Sequence, residues 1–334
     1  MKNSRAAVVL VFICVLLLSM VSLAWTQAKT GDGKVFEFKM GTTQPVDNTT
    51  TIGANKMADL VKEKTGGRVK ITVYPAMQLG DPKTQAEGVR MGTLDSAWVS
   101  TAAMAPFIPD MGAVSFPYLF KDRSHVAKAL NGKAGEILGV AAEKVGIKIL
   151  GWGENGYRQI SNSKKSVVKP ADLSGLKLRV YPIDIYVSTF ENLGAIVIPL
   201  SLSELYTAMQ TGAVDGQENA VDLVASNKFY EVQKYLTMSN HIYGDWAIAF
   251  NARKWGTLPK DLQDAVTQAA KETAIFQVKL ATDTENEKIN MLKQKGMRID
   301  PISSYDEWRN KVKPVYDKFG AKYRDILKAI DDAK

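Results

Sequence analysis

The sequence predicts an α/β protein whose sheet is largely parallel, because strand and helix patterns alternate along two stretches of the chain. The first stretch covers residues 35–99, and the same order restarts after residue 170. A third observation is a helical pattern that opens at Leu258-Pro259 and continues to about Lys295 without Pro or Gly. With 46% hydrophobic and 23% charged residues, the chain has the composition of an ordinary globular protein.

The first stretch is predicted from periodicity and from Gly and Pro punctuation. Its elements in order are a strand at 35–40, a polar segment at 41–51, a helix at about 52–64, a strand at 69–74, a helix ending near Met91 and a strand at 94–99. A further helix is predicted over roughly 124–145, followed by a strand at 147–150.

Residues 151–156 match the pattern Gly-x-Gly-x-x-Gly of dinucleotide-binding proteins. That fingerprint requires an apolar-periodic helix directly after it, whose N-terminus holds the pyrophosphate. Here a polar segment and Pro170 follow instead. We therefore expect a loop or crossover at this point, and no dinucleotide cofactor.

The second stretch repeats the strand–helix–strand order. Its predicted elements are the strand within 175–182, a helix at about 183–193, a strand at 195–198, a serine-capped helix through Gln210 and a short strand or turn at 214–219. Another strand, at 246–251, is expected to return to the first stretch. The long helix keeps no sustained heptad, so it is expected to act as a brace and not as a coiled coil.

The strand within 175–182 provides the first candidate site residue. Alternation places Leu176, Leu178 and Val180 on one face and Arg179 on the other, and Pro182 ends the strand soon after Arg179. Open α/β sheets bind ligands beyond the carboxyl ends of their strands, where a guanidinium would grip an oxyanion with two parallel hydrogen bonds. The alternative is a surface strand whose arginine faces water.

The first 28 residues are predicted to be a cleaved signal peptide. Lys2 and Arg5 precede an uncharged apolar run over 6–20. Small residues follow at the spacing that export peptidases recognise, either Ser22 and Ala24 or Thr26 and Ala28, so cleavage is expected after Ala24 or Ala28. The alternative is an uncleaved membrane anchor. The single cysteine, Cys14, lies inside this segment. The mature protein is thus expected in the periplasm, without disulfides or thiolate ligands.

Charge and motif content argue against several other functions. The formal charge of +8 is spread among both signs and shows no basic stripe with interleaved aromatics, so no nucleic-acid partner is expected. His125 and His241 have no metal-ligand spacing, and neither a nucleophile elbow nor a Walker motif occurs. We predict that the protein is not an enzyme and uses no metal and no cofactor.

Four segments resemble the substrate-binding subunits of TRAP transporters, the tripartite ATP-independent periplasmic carriers, in the DctP-like family. They lie at 74–81, 175–180, 204–219 and 228–232. The resemblance implies a two-lobed periplasmic binding protein fold (type II-like), with crossover strands and a long lobe-spanning helix. The predicted boundaries are 29–157 plus about 245–284 for lobe I, and 158–244 plus about 285–334 for lobe II. The implied partners of this monomer are a small organic anion and two membrane subunits, one small and one large.

The resemblance also implies ligand-binding residues. Arg179 matches the carboxylate-clamping arginine, Arg158 a second arginine, Asn219 a polar contact and Leu202 a position that is often aromatic. The other candidates fall at or near cleft-lining positions, or in polar segments beside them: Trp98, Ser100, Tyr181, Trp246, Glu218 and Gln44. Ser100 and Thr43 depart from the pattern of sialic-acid binders, which argues against that ligand.

Two arginines facing a cleft require an anion. The expected ligand is a small carboxylate, such as a hydroxy or keto acid, a dicarboxylate or a sugar acid, although a sulfonate would satisfy the same donors. An alternative function on the same fold is the ligand-binding accessory of a two-component sensor. Neighbouring genes for membrane carriers or for a histidine kinase would separate the two.

Overall fold

The computed structural model describes residues 33–334, whose ten strands build one mixed sheet. The strands are β1 (Phe36–Thr42), β2 (Val69–Tyr74), β3 (Ser96–Val99), β4 (Ile147–Asn162), β5 (Lys177–Val180), β6 (Ile196–Pro199), β7 (Gly216–Ala220), β8 (Tyr235–Met238), β9 (Tyr243–Asn251) and β10 (Arg298–Pro301). The predicted α/β class is confirmed. The sheet is mixed and not largely parallel, because β4 and β9 pair antiparallel with their neighbours.

Helices pack against the strands of this sheet. They are α1 (Thr49–Lys64), α2 (Pro82–Met91), α3 (Thr101–Met104), α4 (Arg123–Leu130), α5 (Lys133–Glu143), α6 (Asp184–Leu193), α7 (Leu202–Gln210), α8 (Val221–Ser226), α9 (Ala252–Trp255), α10 (Lys260–Gln294), α11 (Tyr305–Phe319) and α12 (Arg324–Asp331). Short 3₁₀ turns lie at Pro109–Ser115, Pro170–Leu173, Phe229–Glu231 and Gly320–Tyr323.

The strand order divides the sheet into two parts that share β4. The order is β2-β1-β3-β9-β4-β7-β5-β6, and β8 joins β4 to β10. The start of β4 pairs antiparallel with β9, whereas its end pairs antiparallel with β7 and β8. As predicted, β9 returns to the first part, where it pairs with β3. The result is a two-lobed fold in which one strand crosses from one part to the other.

Of the two alternatives expected for residues 151–156, the crossover is confirmed and the loop is wrong. This segment is not a loop, because β4 continues unbroken from Ile147 to Asn162. Register shifts near Leu150 and Asn155 interrupt the alternation that identifies a strand, and Gly153 leaves room for its neighbours. A Cβ at Gly153 would lie 2.7 Å from Trp98 Cζ3. The expectation that no helix opens here is confirmed.

The single helix predicted over 124–145 is two helices, α4 and α5, so that prediction was also wrong. Asn131 and Gly132 separate them. A Cβ at Gly132 would approach the carbonyl oxygen of Lys128 to 2.6 Å, so only glycine fits this close turn. A weak local signal, one glycine in an apolar-periodic run, thus marks a real break in the helix.

The long helix is confirmed over 35 residues and packs against α1, β4 and α8. Its buried Gln277 donates from Nε2 to the carbonyl oxygen of Glu154 at 2.7 Å and accepts from Glu154 N at 2.8 Å. Gln277 Nε2 also donates to Thr49 Oγ1 at 3.2 Å. One amide side chain therefore ties the helix to the crossing strand and to the start of α1.

Two apolar clusters form the core. The larger lies around β3, β9, α5 and α6, and the smaller joins α7 and α8 to the end of α10. The C-terminal helix α12 packs on α4 and α5, where His125 Nε2 is 2.6 Å from the Ile330 carbonyl oxygen. The predicted lobe boundaries stay a prediction.

The predicted signal peptide lies outside the described residues. Within residues 33–334, none of the helices combines the length and the apolar character that crossing a membrane requires.

Candidate functional site

A small cavity lies at the carboxyl end of β5, where β4, β7, β9 and the first turn of α7 converge. Its volume is about 40 Å³. Eight of the ten residues predicted to bind ligand line it: Gln44, Ser100, Arg158, Arg179, Tyr181, Leu202, Asn219 and Trp246. Residues that are far apart in the chain are therefore brought together.

Arg179 enters the cavity as predicted, from a central parallel strand. β5 lies between β6 and β7, and the side chains of Leu178 and Val180 are fully buried on its other face. The arginine itself is only 1% exposed. Its Nε donates to the carbonyl oxygen of Leu200 at 2.8 Å, while Nη2 is buried and has no hydrogen-bond partner within residues 33–334. The alternative of a solvent-facing arginine is thereby contradicted.

Burial of Arg179 carries an electrostatic penalty. Burial lowers the pKa of Arg179 to about 10, with the positive charge of Arg158 adding to the effect and Glu218 opposing it. The side chain still carries its charge at neutral pH. Because a buried cation with an unpaired donor is unfavourable, the cavity favours an occupant that supplies an anionic acceptor.

Arg158 is arranged differently, because it already has an anionic partner. Its Nε donates to Glu218 Oε2 at 2.5 Å, and its Nη2 donates to Glu218 Oε1 at 2.8 Å and to the Glu218 carbonyl oxygen at 2.7 Å. His241 Nε2 lies 3.2 Å from the same carboxylate, and its Nδ1 contacts Ser239 Oγ at 2.8 Å. Arg158, Glu218 and His241 thus form one buried network.

The charge states within this network follow from burial and pairing. Burial alone would raise the pKa of Glu218, yet Arg158 and the hydrogen bond from His241 hold it at about 2. Burial lowers the pKa of His241. The network therefore contains an ionised Arg158–Glu218 pair and a neutral imidazole at pH 7. Arg179 is left as the positive charge that a ligand can neutralise.

Three of the polar residues predicted to bind ligand already form side-chain hydrogen bonds within the protein. Asn219 donates from Nδ2 to Gln217 Oε1 at 2.6 Å. Gln44 donates from Nε2 to Thr43 Oγ1 at 3.1 Å. Ser100 caps α3, since its Oγ accepts from Ala103 N at 3.2 Å. Each of them keeps further hydrogen-bonding capacity.

Trp98 and Glu218 do not line the cavity. Trp98 is fully buried, and its ring lies against Gly53 and Gly153. Glu218 lies behind Arg158 and holds its guanidinium in place. In this structure both residues support the wall of the cavity.

Sequence reasoning missed several lining residues, of which Asp245, Tyr186 and Asn155 are polar. Asp245 is 4% exposed and directly precedes the apolar run 246–250 of β9. A lone carboxylate beside such a run was a usable signal. Thr101 donates to it from Oγ1 at 2.8 Å and from N at 3.2 Å. Burial raises the pKa of Asp245 to about 6, against these hydrogen bonds.

Beside the cavity, the start of α1 contacts α8 through side chains. Asp222 accepts from Thr49 Oγ1 at 2.6 Å and from Thr49 N at 3.1 Å. Lys288 of α10 donates to the other oxygen of Asp222 at 2.6 Å. Asn48 donates to Ser226 Oγ at 3.0 Å. These contacts join the first and second stretches of the chain next to the lining residue Gln44.

No group of three or more His, Cys, Asp or Glu side chains in the described part of the chain is placed to hold a metal ion. The arrangement offers a polar cavity lined by the buried Arg179 cation, whose Nη2 has no hydrogen-bond partner among the described residues. A two-lobed α/β fold with such a cavity is typical of the solute-binding proteins.

The chain belongs to bacterial extracellular solute-binding protein family 7, whose model matches residues 40–323. The resemblance to TRAP substrate-binding subunits is thereby confirmed. Among relatives, the 2,3-diketo-L-gulonate-binding periplasmic protein YiaO of Escherichia coli is 34% identical over 85% of this chain and 88% of its own length.

Solved structures of TRAP solute-binding proteins have the same fold. A protein from Polaromonas bound to D-erythronate has a TM-score of 0.86 at 31% identity, covering 88% of this chain and 98% of that one. The sugar acid binding protein DctPAm of Advenella mimigardefordensis, in complex with galactonate, has a TM-score of 0.87 at 31% identity, covering 90% and 99%.

Proposed function

We propose that this protein captures a small organic carboxylate in the cavity at Arg179 and delivers it to the small and large membrane subunits of a TRAP transporter. The observation that carries the proposal is the buried guanidinium of Arg179, whose Nη2 has no partner within the described chain. A carboxylate would neutralise the positive charge of Arg179 and accept a hydrogen bond from its Nη2.

The comparisons support this ligand class. The ligands named for related structures include D-erythronate, galactonate and, in a protein of Haemophilus influenzae, L-gulonate. Each is a carboxylate that carries hydroxyl groups. The cavity here has the matching components, since Arg179 is accompanied by polar side chains from β4, β7 and β9.

The proposal includes location and motion. The chain is processed after Ala24 or Ala28 and acts in the periplasm, without catalysing a reaction. Residues 29–157 plus about 245–284 move relative to the remainder, and the cavity is enclosed when the two lobes close on the ligand. N-terminal sequencing of the exported protein tests the processing step, and intact Met1 would contradict it.

The binding site is tested by identification of the ligand and by substitution. Ligand released from denatured purified protein is identified by mass spectrometry, and a thermal-shift screen of organic acids and sulfonates extends the search. Calorimetric titration of the best carboxylate then compares wild type with Arg179→Lys, which keeps the charge but loses the planar fork. We expect affinity to fall tenfold to a hundredfold, at about 1.4 kcal/mol per decade.

The matched control is Arg324→Lys at an exposed position, which leaves affinity unchanged. An Arg179→Lys protein that melts normally and binds every carboxylate as tightly as wild type would contradict the proposed site.

A further inference from the structure

We propose that Asp245 is a specificity-determining residue that makes this cavity accept singly charged hydroxy acids and reject dicarboxylates. The inference rests on the proposed function, because it concerns the ligand of the same site. It names a residue outside the set predicted from the sequence, and it narrows the ligand from carboxylates in general to one charge class.

Asp245 has no cationic partner among residues 33–334. Its carboxylate accepts two hydrogen bonds from Thr101 and lines the cavity. Within residues 33–334, no Lys, Arg or His nitrogen forms a salt bridge with it. A carboxylate has about four acceptor positions, so two hydrogen bonds leave capacity for donors on a ligand.

Among the described residues that line the cavity, the positive charges are those of Arg158 and Arg179. Arg158 is neutralised by Glu218, so Arg179 is available to one anionic group of a ligand. A second carboxylate of the ligand would lie near the carboxylate of Asp245, and no further cation among the described lining residues would neutralise it. Like charges in a buried site repel strongly, because little water screens them.

Asp245 lines the cavity, and its carboxylate can accept a further hydrogen bond. A ligand hydroxyl can donate to Asp245, whereas an ionised carboxylate can only accept. A hydroxylated chain attached to one carboxylate therefore satisfies Arg179 and Asp245 together.

The other groups near Asp245 do not change this balance. Arg158 on β4 favours its charged form but is committed to Glu218, and Tyr186 on α6 and Tyr243 on β9 are buried phenols whose pKa values are raised. Those phenols remain neutral at pH 7. Burial raises the pKa of Asp245 to about 6, so the carboxylate is mostly ionised at neutral pH.

The test uses matched acids that differ at one end. D-Erythronate is paired with meso-tartrate, and D-galactonate with galactarate, so that a terminal CH₂OH is replaced by a carboxylate. Dissociation constants are measured by calorimetry at pH 7.5 for wild type, Asp245→Asn and the exposed control Asp317→Asn. We expect wild type to bind at least one monocarboxylate and to bind its paired dicarboxylate about tenfold more weakly or worse.

In Asp245→Asn the preference for the monocarboxylate over its paired dicarboxylate should shrink to about threefold or less. The control Asp317→Asn should keep the preference of wild type. Wild type that binds both members of a pair equally would overturn the inference and leave the proposed function standing. A folded Asp245→Asn protein with an undiminished preference would do the same. If wild type binds neither these acids nor any other carboxylate, the proposed function itself fails. The comparison of the paired acids on wild type tests the inference even if Asp245→Asn does not fold.

Discussion

Arg158 and Glu218 are diagonal neighbours on the antiparallel strands β4 and β7. Arg158 pairs with Ala220, two residues beyond Glu218, so that both side chains lie on one face of the sheet. Their bidentate contact neutralises one of the two arginines that reach the cavity. Arg179 remains as the lining cation without a salt bridge among the described residues, which is why the proposed function places the carboxylate of the ligand there.

The Arg158–Glu218 pair should behave as a unit. Glu218→Gln leaves Arg158 buried without its counter-ion, and we expect the free energy of unfolding to fall by about 3–5 kcal/mol. The double variant Arg158→Met/Glu218→Gln should recover a large part of that loss, because the unpaired charge is removed. Urea unfolding of the two single variants and the double variant measures the coupling. Additive effects would contradict the network.

Arg179 should reduce the stability of the ligand-free protein. Arg179→Met removes a buried, unpaired charge and keeps an apolar side chain of similar length. We expect the ligand-free variant to be as stable as wild type or up to about 2 kcal/mol more stable, while carboxylate binding is lost. Urea unfolding without ligand gives the first quantity and calorimetry the second. A strongly destabilised variant would show that the guanidinium mainly supports the fold.

Asp222 should stabilise the closed arrangement. Asp222→Asn weakens the hydrogen bonds from Thr49, which join the two predicted lobes, and removes the ion pair with Lys288 inside predicted lobe II. We expect ligand affinity to fall about tenfold, the size of one charge-assisted hydrogen bond. Calorimetry measures the affinity, and small-angle X-ray scattering measures the radius of gyration. The control is Asp283→Asn, which changes an exposed acid on α10, the long helix that also carries Lys288. Unchanged affinity would contradict a closing role.

The raised pKa of Asp245 predicts a pH-dependent stability difference. Between about pH 4 and 6 the folded state retains a proton that the unfolded carboxyl releases, so this residue lowers stability as pH rises through that window. Asp245→Asn lacks the effect. We expect the stability of Asp245→Asn relative to wild type to grow by up to about 3 kcal/mol from pH 4 to 7. Urea unfolding at four pH values measures it, and a constant difference would contradict the raised pKa.

Some features of this protein are determined by the sequence alone. The strand that carries Arg179 follows from local alternation and from Pro182, and it forms as predicted. The capping box of α7, Ser201 with Glu204, and the long helix α10 also depend on neighbours within a few residues. Such signals are visible in a sequence because their causes are local. For the same reason the carboxyl-end position of Arg179 was predictable.

Only the tertiary structure determined which strands pair with each other and which charged side chains form ion pairs. β4 is a continuous strand because β9, β7 and β8 supply its hydrogen bonds, and no periodicity within 151–156 reveals those partners. Arg158 and Glu218 are 60 residues apart in the chain, so nothing local shows that one arginine is neutralised and the other is not. Asp245 likewise acquires its place in the cavity from distant elements. Pairing, burial and charge state depend on three-dimensional proximity, which periodicity does not encode.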